Sequence, residues 1–167
     1  KIVKTINIVF FYLIWWGTIL GIRSNFDYIG PALTFLFIIV HLNIISKVKK
    51  EVILVLCCAA LGLIVESFYL YFSFISYQGY LISNSSIPPL WIVCIWMTIA
   101  LTINHSMFFL KGKWALIVIC GIIFGPICYF AAMKSGILHF YFPISLFVAT
   151  RANTTLRLAR ACKGFSK

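Results

Sequence analysis

The chain has 167 residues, of which 63% are apolar and only 10% charged, and its mean hydropathy is +1.06. A soluble domain carries about 25% charged residues, so this composition excludes a soluble enzyme and a disordered tail. The net charge of +11 does not indicate a nucleic-acid binder, because the basic residues flank long apolar runs. The composition predicts a multi-pass protein of the lipid bilayer.

Apolar runs give the predicted elements in chain order. A helix needs about 20 apolar residues to cross a bilayer, and the five runs that approach this length are Ile6–Ile22, Ile29–Ser46, Val52–Ser73, Leu90–Leu110 and Trp114–Ala132. A sixth run, Gly136–Thr150, contains Pro143 and would span about 22 Å as a helix. The predicted fold is all-α, a polytopic membrane helix bundle of six transmembrane helices, or five if the last run does not cross.

The first run also resembles the apolar part of a signal peptide, since Lys1 and Lys4 precede it. No small-x-small cleavage site follows Ile22, and the run contains Trp15 and Trp16. These features favour a retained helix.

The distribution of basic residues predicts the topology. With six crossings and a cytoplasmic N-terminus, 12 of the 14 basic residues lie in cytoplasmic segments, and only Arg23 and Lys134 lie outside. With five crossings the split becomes 7 to 7. Because cytoplasmic segments are enriched in Lys and Arg, six crossings with both termini inside are favoured.

The predicted domain organisation is one transmembrane domain, 1–150, followed by a basic cytoplasmic tail, 151–167. In the tail, apolar and basic residues fall on opposite sides of a helix, which is typical of a segment lying on an anionic membrane surface. A disordered tail that only fixes topology is the alternative. In the outer loop Phe74–Pro89, Tyr77 and Tyr80 are expected at the level of the lipid headgroups.

Polar groups inside the predicted helices are expected to face the bundle interior, because lipid cannot satisfy them. The candidate residues for an internal polar cavity are Glu66, Thr98, Tyr129, His41, Asn104 and His105. They form an outer tier around Glu66 and an inner tier near the cytoplasmic helix ends.

Glu66 is the most informative of these residues, because an ionised carboxylate inside a bilayer costs at least ~2.5–3.5 kcal/mol. It lies ~13–15 Å from His105 along the membrane normal, too far for a direct acid–base pair. The expected partners are Lys134 or Arg23 reaching inward, or a hydroxyl such as that of Tyr129. Glu66 is then either a protonatable site or a hydrogen-bonding group that locks the bundle.

Small residues indicate where helices touch. Gly17 and Gly21 form one G-x-x-x-G motif and Gly121 and Gly125 another, and such faces allow close helix packing. A Gly125→Leu substitution is therefore expected to lower the amount of folded protein. Pro126, directly after Gly125, is expected to kink or unwind the fifth helix.

Cysteine chemistry is not indicated. Five of the six cysteines lie inside apolar runs, and neither a C-x-x-C nor a zinc-like spacing occurs. We expect no disulfide, no metal and no cofactor.

Several landmarks occur in order along the chain: Asn7, Trp15-Trp16, Gly30-Pro31, Glu66, Pro89-Leu90-Trp91, Trp96, Asn104-His105-Ser106 and Gly125-Pro126 with Tyr129. Together they resemble domain of unknown function 2878, a family of small bacterial inner-membrane proteins, over roughly residues 5–140. The resemblance implies no established activity. Genes of this family lie near genes for cyclopropane-fatty-acid-synthase-like and amine-oxidase-like proteins. The resemblance therefore implies a role in membrane lipid modification or in envelope stress, with the lipid bilayer and lipid-modification proteins as partners.

Three functions follow as hypotheses. The first is a non-enzymatic bacterial inner-membrane protein that handles or transports a small or lipidic molecule through an internal polar cavity. The second is a lipid-modifying enzyme or its subunit that uses Asn104 and His105, and the third is a structural membrane partner. A closed bundle with Glu66 hydrogen-bonded favours the third, and a cavity that reaches Glu66 favours the first. The oligomeric state is not indicated.

The topology can be tested with reporter fusions. Fusions after Lys50, Lys113 and Lys167 should report a cytoplasmic location, and a fusion after Ser85 a periplasmic one. A periplasmic readout at Lys167 would eliminate the sixth crossing.

Overall fold

The computed structural model describes residues 2–45, 49–80, 87–103, 106–107 and 112–141. The elements are the helices α1 (Ile2–Arg23), α2 (Ile29–Val40), α3 (Lys49–Tyr71), α4 (Leu90–Ile103) and α5 (Trp114–Lys134), with the short strands β1 (Ile75–Tyr77) and β2 (Leu138–Phe140). A π-helical turn, His41–Ile45, continues α2. The predicted helical fold is therefore correct. In the described part of the chain, two segments are long and apolar enough to cross a membrane, Lys4–Arg23 and Glu51–Tyr71.

The helices α1, α3 and α5 end with the same backbone motif. A residue in the left-handed region follows each helix: Asn25 (φ 60°), Ser73 (φ 52°) and Gly136 (φ 76°). The next amide donates back over five residues, as in Phe74 N–H to the Tyr69 carbonyl at 2.9 Å. This is the Schellman ending, which satisfies carbonyl groups that the helix leaves free.

These endings create the two-stranded ribbon formed by β1 and β2. Because α3 and α5 stop at equivalent points, the chain leaves each of them in an extended conformation, and the strands pair antiparallel with Ser76 opposite His139. Tyr141 N–H extends the contact by donating to the Phe74 carbonyl at 3.1 Å.

The ribbon corrects two sequence predictions. A sixth helix beginning at Gly136 is wrong, because the left-handed Gly136 ends α5 and residues 138–140 form β2. The remainder of that run, the tail 151–167, Asn104 and His105 lie outside the described residues. The segment Phe74–Pro89 is not only loop, since it contains β1.

The helix α4 is central in the bundle. It packs against α1, α2 and α3, and α1 also packs against α2. Most of α4 is buried, from Trp91 to Thr102. By contrast, large apolar side chains are exposed on the outer faces of the other helices, including Leu20, Ile39, Ile64 and Phe124. The buried residues instead include polar ones: Asn7, Thr18, Thr34, His41, Glu66, Thr98 and Thr102.

The glycines behave differently from one another. A Cβ on Gly17 would lie 2.5 Å from the Leu33 side chain, and one on Gly21 would lie 2.8 Å from the Phe26 carbonyl, so the first G-x-x-x-G lies at a close contact that includes α2. No described atom lies within 4 Å of a Cβ on Gly125, and Gly121 is exposed. Among the described residues, Gly125 thus makes none of the close contact expected of it.

The structure also does not show the unwinding of α5 that was expected at Pro126. The helix α5 continues through it from Trp114 to Lys134. The missing N–H removes one backbone hydrogen bond, and the helix is nevertheless not interrupted.

The closest glycine approach described for α3 is at Gly62, where a Cβ would lie 2.5 Å from the Trp96 indole of α4. A Gly62→Ala substitution should therefore lower the free energy of unfolding by about 1–3 kcal/mol through overpacking. The measurement is thermal unfolding in detergent. The matched control is Gly125→Ala, where the added methyl meets no described atom. Equal stability of the two variants would contradict the α3–α4 packing.

Candidate functional site

The carboxylate of Glu66 is the centre of a polar cluster at the ribbon end of the bundle, which consists of Glu66, Tyr77, Trp96 and Tyr129. Glu66 lies on α3 and has no exposed surface. Its Oε1 accepts hydrogen bonds from the Trp96 indole Nε1, at 3.0 Å, and from the Tyr129 hydroxyl. Its Oε2 accepts one from the Tyr77 hydroxyl. Three donors from three different elements thus meet on one buried carboxylate.

The position of Trp96 follows from Gly62. Residues four apart on a helix share a face. The gap beside Gly62 and the carboxylate of Glu66 therefore lie on the same side of α3. The Trp96 indole fills the space left by the absent Cβ of Gly62, and its Nε1 reaches the carboxylate one turn further along α3.

Tyr77 is positioned by the ribbon and by the beginning of α4. It is the last residue of β1 and is buried, with its ring packed edge-to-face on the Trp91 ring at 5.7 Å. The Trp91 Nε1 donates to the Gln78 carbonyl at 2.8 Å, which fixes the backbone directly after Tyr77. The expectation that Tyr77 lies among the lipid headgroups is therefore wrong. Tyr80 is partly buried, and burial raises the pKa of its hydroxyl.

The chemistry of the cluster is that of a carboxylate in a water-poor, aromatic environment. Burial disfavours the charged form of a carboxyl, whereas hydrogen bonds donated to it favour that form. All three described donors are uncharged at neutral pH. Of the expected partners, the structure places Tyr129 on Glu66, while Arg23 is exposed and Lys134 lies over the Phe130 ring, 5.6 Å from its centroid.

A second polar cluster lies at the opposite end of α3. The His41 Nε2 lies 2.7 Å from the Glu51 Oε2, and the His41 side chain is fully buried. His41 begins the π-helical turn after α2, and such turns occur frequently at functional sites. The His41 and Phe37 rings pack edge-to-face, with their centroids 5.6 Å apart.

The remaining predicted residues are not joined to Glu66 in the described part of the chain. Thr98 is buried, but its hydroxyl donates to the Cys94 carbonyl of its own helix at 2.8 Å. His41 belongs to the opposite cluster. The structure therefore brings together Glu66 and Tyr129, and separates them from His41.

Sequence reasoning missed three site residues. Tyr77 was assigned to the interface because its loop reads as irregular. Trp96 was noted only as a landmark, although Gly62 four residues before Glu66 indicates room for a large neighbour. Glu51 was overlooked as a partner of His41, ten residues earlier, because it lies next to the basic run at the start of α3. Within the described ranges, no cluster of three or more His, Cys, Asp or Glu residues is placed to hold a metal ion.

Comparison with protein families gives one match, to a model described as protein of unknown function (DUF2878), over residues 4–154. The chain belongs to this family. The DUF2878 match extends beyond Phe140, so it includes the segment where the resemblance read from the landmarks stops. Comparison with curated proteins and with solved structures gives no match.

The hydrogen bonds of this DUF2878 protein can be tested one at a time. Tyr129→Phe and Tyr77→Phe should each lower the free energy of unfolding by about 1.5–3 kcal/mol if Glu66 is ionised. The loss should be nearer ~0.6 kcal/mol if it is neutral, as for average hydrogen bonds within membranes. Tyr71→Phe is the matched control, because Tyr71 is 83% exposed. Unchanged stability in both cluster variants would contradict the contacts.

Proposed function

We propose that this protein is a multi-pass integral protein of the bacterial inner membrane, with both termini in the cytoplasm, that handles a small or lipidic molecule without catalysing a reaction. The inverted distribution of its side chains supports a bilayer location: large apolar groups are exposed, and Glu66, His41 and Asn7 are buried. Exposed apolar surface of this extent is unfavourable in water. Two helices of membrane-crossing length are consistent with this.

The observation that carries the proposal is the complete burial of an ionisable side chain, that of Glu66, on the apolar helix α3. A bundle gains more stability from apolar packing than from buried charges, and intramembrane ionisable groups mark substrate or proton sites by default. One of the three donors comes from a ribbon of only three residue pairs. Displacing that short ribbon would give a polar molecule access to the carboxylate.

A second candidate function, that of a structural membrane partner, is favoured by the completeness of the same cluster. Both carboxylate oxygens are hydrogen-bonded, and the bonds tie α3 to α4, α5 and β1. On this proposal the cluster only locks the outer end of the bundle.

The alternative of a lipid-modifying enzyme rests on the other cluster. The His41–Glu51 pair, at 2.7 Å, is the arrangement in which a carboxylate orients a histidine base. Asn104 and His105, which the sequence suggested for this chemistry, lie outside the described residues.

The variant Glu66→Gln separates the first two functions. Its side-chain oxygen can accept from Trp96 and Tyr129, and its NH₂ can donate to the Tyr77 hydroxyl, so the shape is kept and only the titrating group is lost. We expect normal thermal stability together with failure to complement a deletion strain, measured as changes in membrane lipids and exported solutes. Asp27→Asn, the same change in the turn between α1 and α2, is the control.

Full complementation by Glu66→Gln at normal stability would instead favour the structural role. Loss of both stability and complementation would indicate an ionised carboxylate whose charge the fold requires.

A further inference from the structure

We propose that the ribbon end of the bundle lies in the headgroup layer of the bilayer, where its exposed tyrosines Tyr28, Tyr71 and Tyr141 contact phospholipid headgroups. The inference rests on the proposed membrane location and names the part of the lipid that this surface meets. It follows from a change in the exposed side chains that occurs at the same end of three helices.

The bodies of these helices expose apolar and aromatic side chains. On α3, every exposed residue in the range 52–68 is apolar, and the same holds for the described residues of α5 in the range 115–130. On α1, the exposed residues in the range 8–20 are aliphatic or aromatic. Since lipid tails are as apolar as these side chains, hydrocarbon can cover this surface.

Polar side chains become exposed where the three helices end. The first of them are Arg23 at the end of α1, Ser73 after α3 and Lys134 at the end of α5. All three ends lie at the ribbon, because β1 follows α3, β2 follows α5, and Gly79, two residues after β1, packs on the Ile22 side chain of α1. Such a change is expected where hydrocarbon gives way to headgroups.

The spacing of the charges along the helices fits a bilayer. On α1, Lys4 and Arg23 are nineteen residues apart, a rise of about 28 Å. For α5, Lys113 and Lys134 are twenty-one residues apart, a rise of about 31 Å. The hydrocarbon core of a bilayer is ~30 Å thick. The match at both helices favours lipid, and not a protein partner, as the occupant of the apolar surface.

The exposed tyrosines mark the same boundary. All eight tyrosines lie in the described ranges, and four of them are exposed. Tyr28 directly precedes α2, Tyr71 is the last residue of α3, and Tyr141 directly follows β2, so three of the four are at the ribbon end. The fourth, Tyr12, lies in the middle of α1. Tyrosine is enriched at membrane interfaces because its ring is apolar and its hydroxyl is polar.

The charges described at this end favour contact with lipid phosphate. Arg23 and Lys134 are exposed cations, whereas the acidic residue Asp27 is partly buried, and His139 adds an exposed imidazole. The Lys134 Nζ lies 5.6 Å from the centroid of the Phe130 ring, at the last exposed apolar residue of α5. Both cations are therefore placed to donate hydrogen bonds to phosphate oxygens.

This placement fixes the depth of the Glu66 cluster. Glu66 lies five residues before Tyr71 on α3, which is about 7 Å deeper along the helix axis. The cluster is then just inside the hydrocarbon layer on the ribbon side. The part of a lipid nearest to the carboxylate is a headgroup and not the middle of an acyl chain.

The test uses the full chain, one copy per nanodisc of phosphatidylethanolamine and phosphatidylglycerol, and measures the oxidation of each tyrosine by hydroxyl radicals with mass spectrometry. Tyr12 and Tyr28 form a matched pair, because both side chains are 58% exposed in the protein and both are tyrosines of equal intrinsic reactivity. Tyr12 lies about 16 Å from the ribbon end of α1.

We expect Tyr28, Tyr71 and Tyr141 to be oxidised at least about tenfold faster than Tyr12, because the bilayer core contains no water from which the radicals form. The variant Ile64→Tyr repeats the comparison on α3, where Ile64 is 66% exposed, and its new side chain should be oxidised as slowly as Tyr12. The wild-type comparison stands even if this variant does not fold.

The possible failures have separate meanings. Oxidation of the three ribbon-end tyrosines as slowly as Tyr12 would place this end deeper in the hydrocarbon, and would overturn the headgroup contact while leaving the bilayer location intact. Oxidation of Tyr12 as fast as Tyr28 would show that lipid does not cover the helix bodies, and would overturn the bilayer location as well. The handling of a small or lipidic molecule is judged independently, by complementation of the deletion strain.

Discussion

A carboxyl group in an apolar interior must be hydrogen-bonded, and the ribbon end of this protein is built around that requirement. Leaving a buried charge or polar group without partners costs several kcal/mol. Glu66 meets the requirement with three donors that come from β1, α4 and α5. Each of these elements is in turn held by a local feature of the sequence, so one acid residue connects the elements that meet at the ribbon end of the bundle.

The backbone endings of the helices make this connection possible. If α3 had continued beyond Tyr71 as a regular helix, Tyr77 would have lain about 16 Å further along its axis than Glu66, far from the carboxylate. The left-handed Ser73 reverses the direction of the chain, and β1 brings Tyr77 back onto Glu66. The equivalent ending at Gly136 supplies β2, which pairs with β1 through Ile75 and Phe140.

The long apolar runs predicted the helices well, but they did not predict the ribbon. The observed α1, α3, α4 and α5 begin within a few residues of the predicted runs, because long apolar runs leave few alternatives to a helix. The predicted start of the sixth helix at Gly136 was wrong because apolar content does not separate a short buried strand from a helix segment. The left-handed conformation of Gly136 is what ends the helix here, and amino-acid composition does not reveal that conformation.

The site was predictable in part for a similar reason. A single acid residue inside an apolar run is easily recognised as a candidate site. The predicted helix lengths also place Tyr129 at the same depth as Glu66. The contact with Tyr77 depends on a non-glycine residue, Ser73, adopting a left-handed conformation, for which a sequence pattern gives little indication. The His41–Glu51 pair forms across the turn between α2 and α3. Its geometry depends on the π-helical turn rather than on residue spacing in a regular helix.

The two polar clusters are separate, and this limits what the described residues can do together. Glu51 and Glu66 lie on the same helix fifteen residues apart, a rise of about 22 Å. Thr98 and Thr102 lie on the neighbouring α4, but both hydroxyls donate to carbonyls of α4 itself, at 2.8 and 2.7 Å. Those hydroxyl protons are thus directed at the backbone and not along the bundle. Glu66 thus lies at the ribbon end of the bundle and the His41–Glu51 pair at the opposite end. The element that packs between the two ends is α4, which contacts α1, α2 and α3.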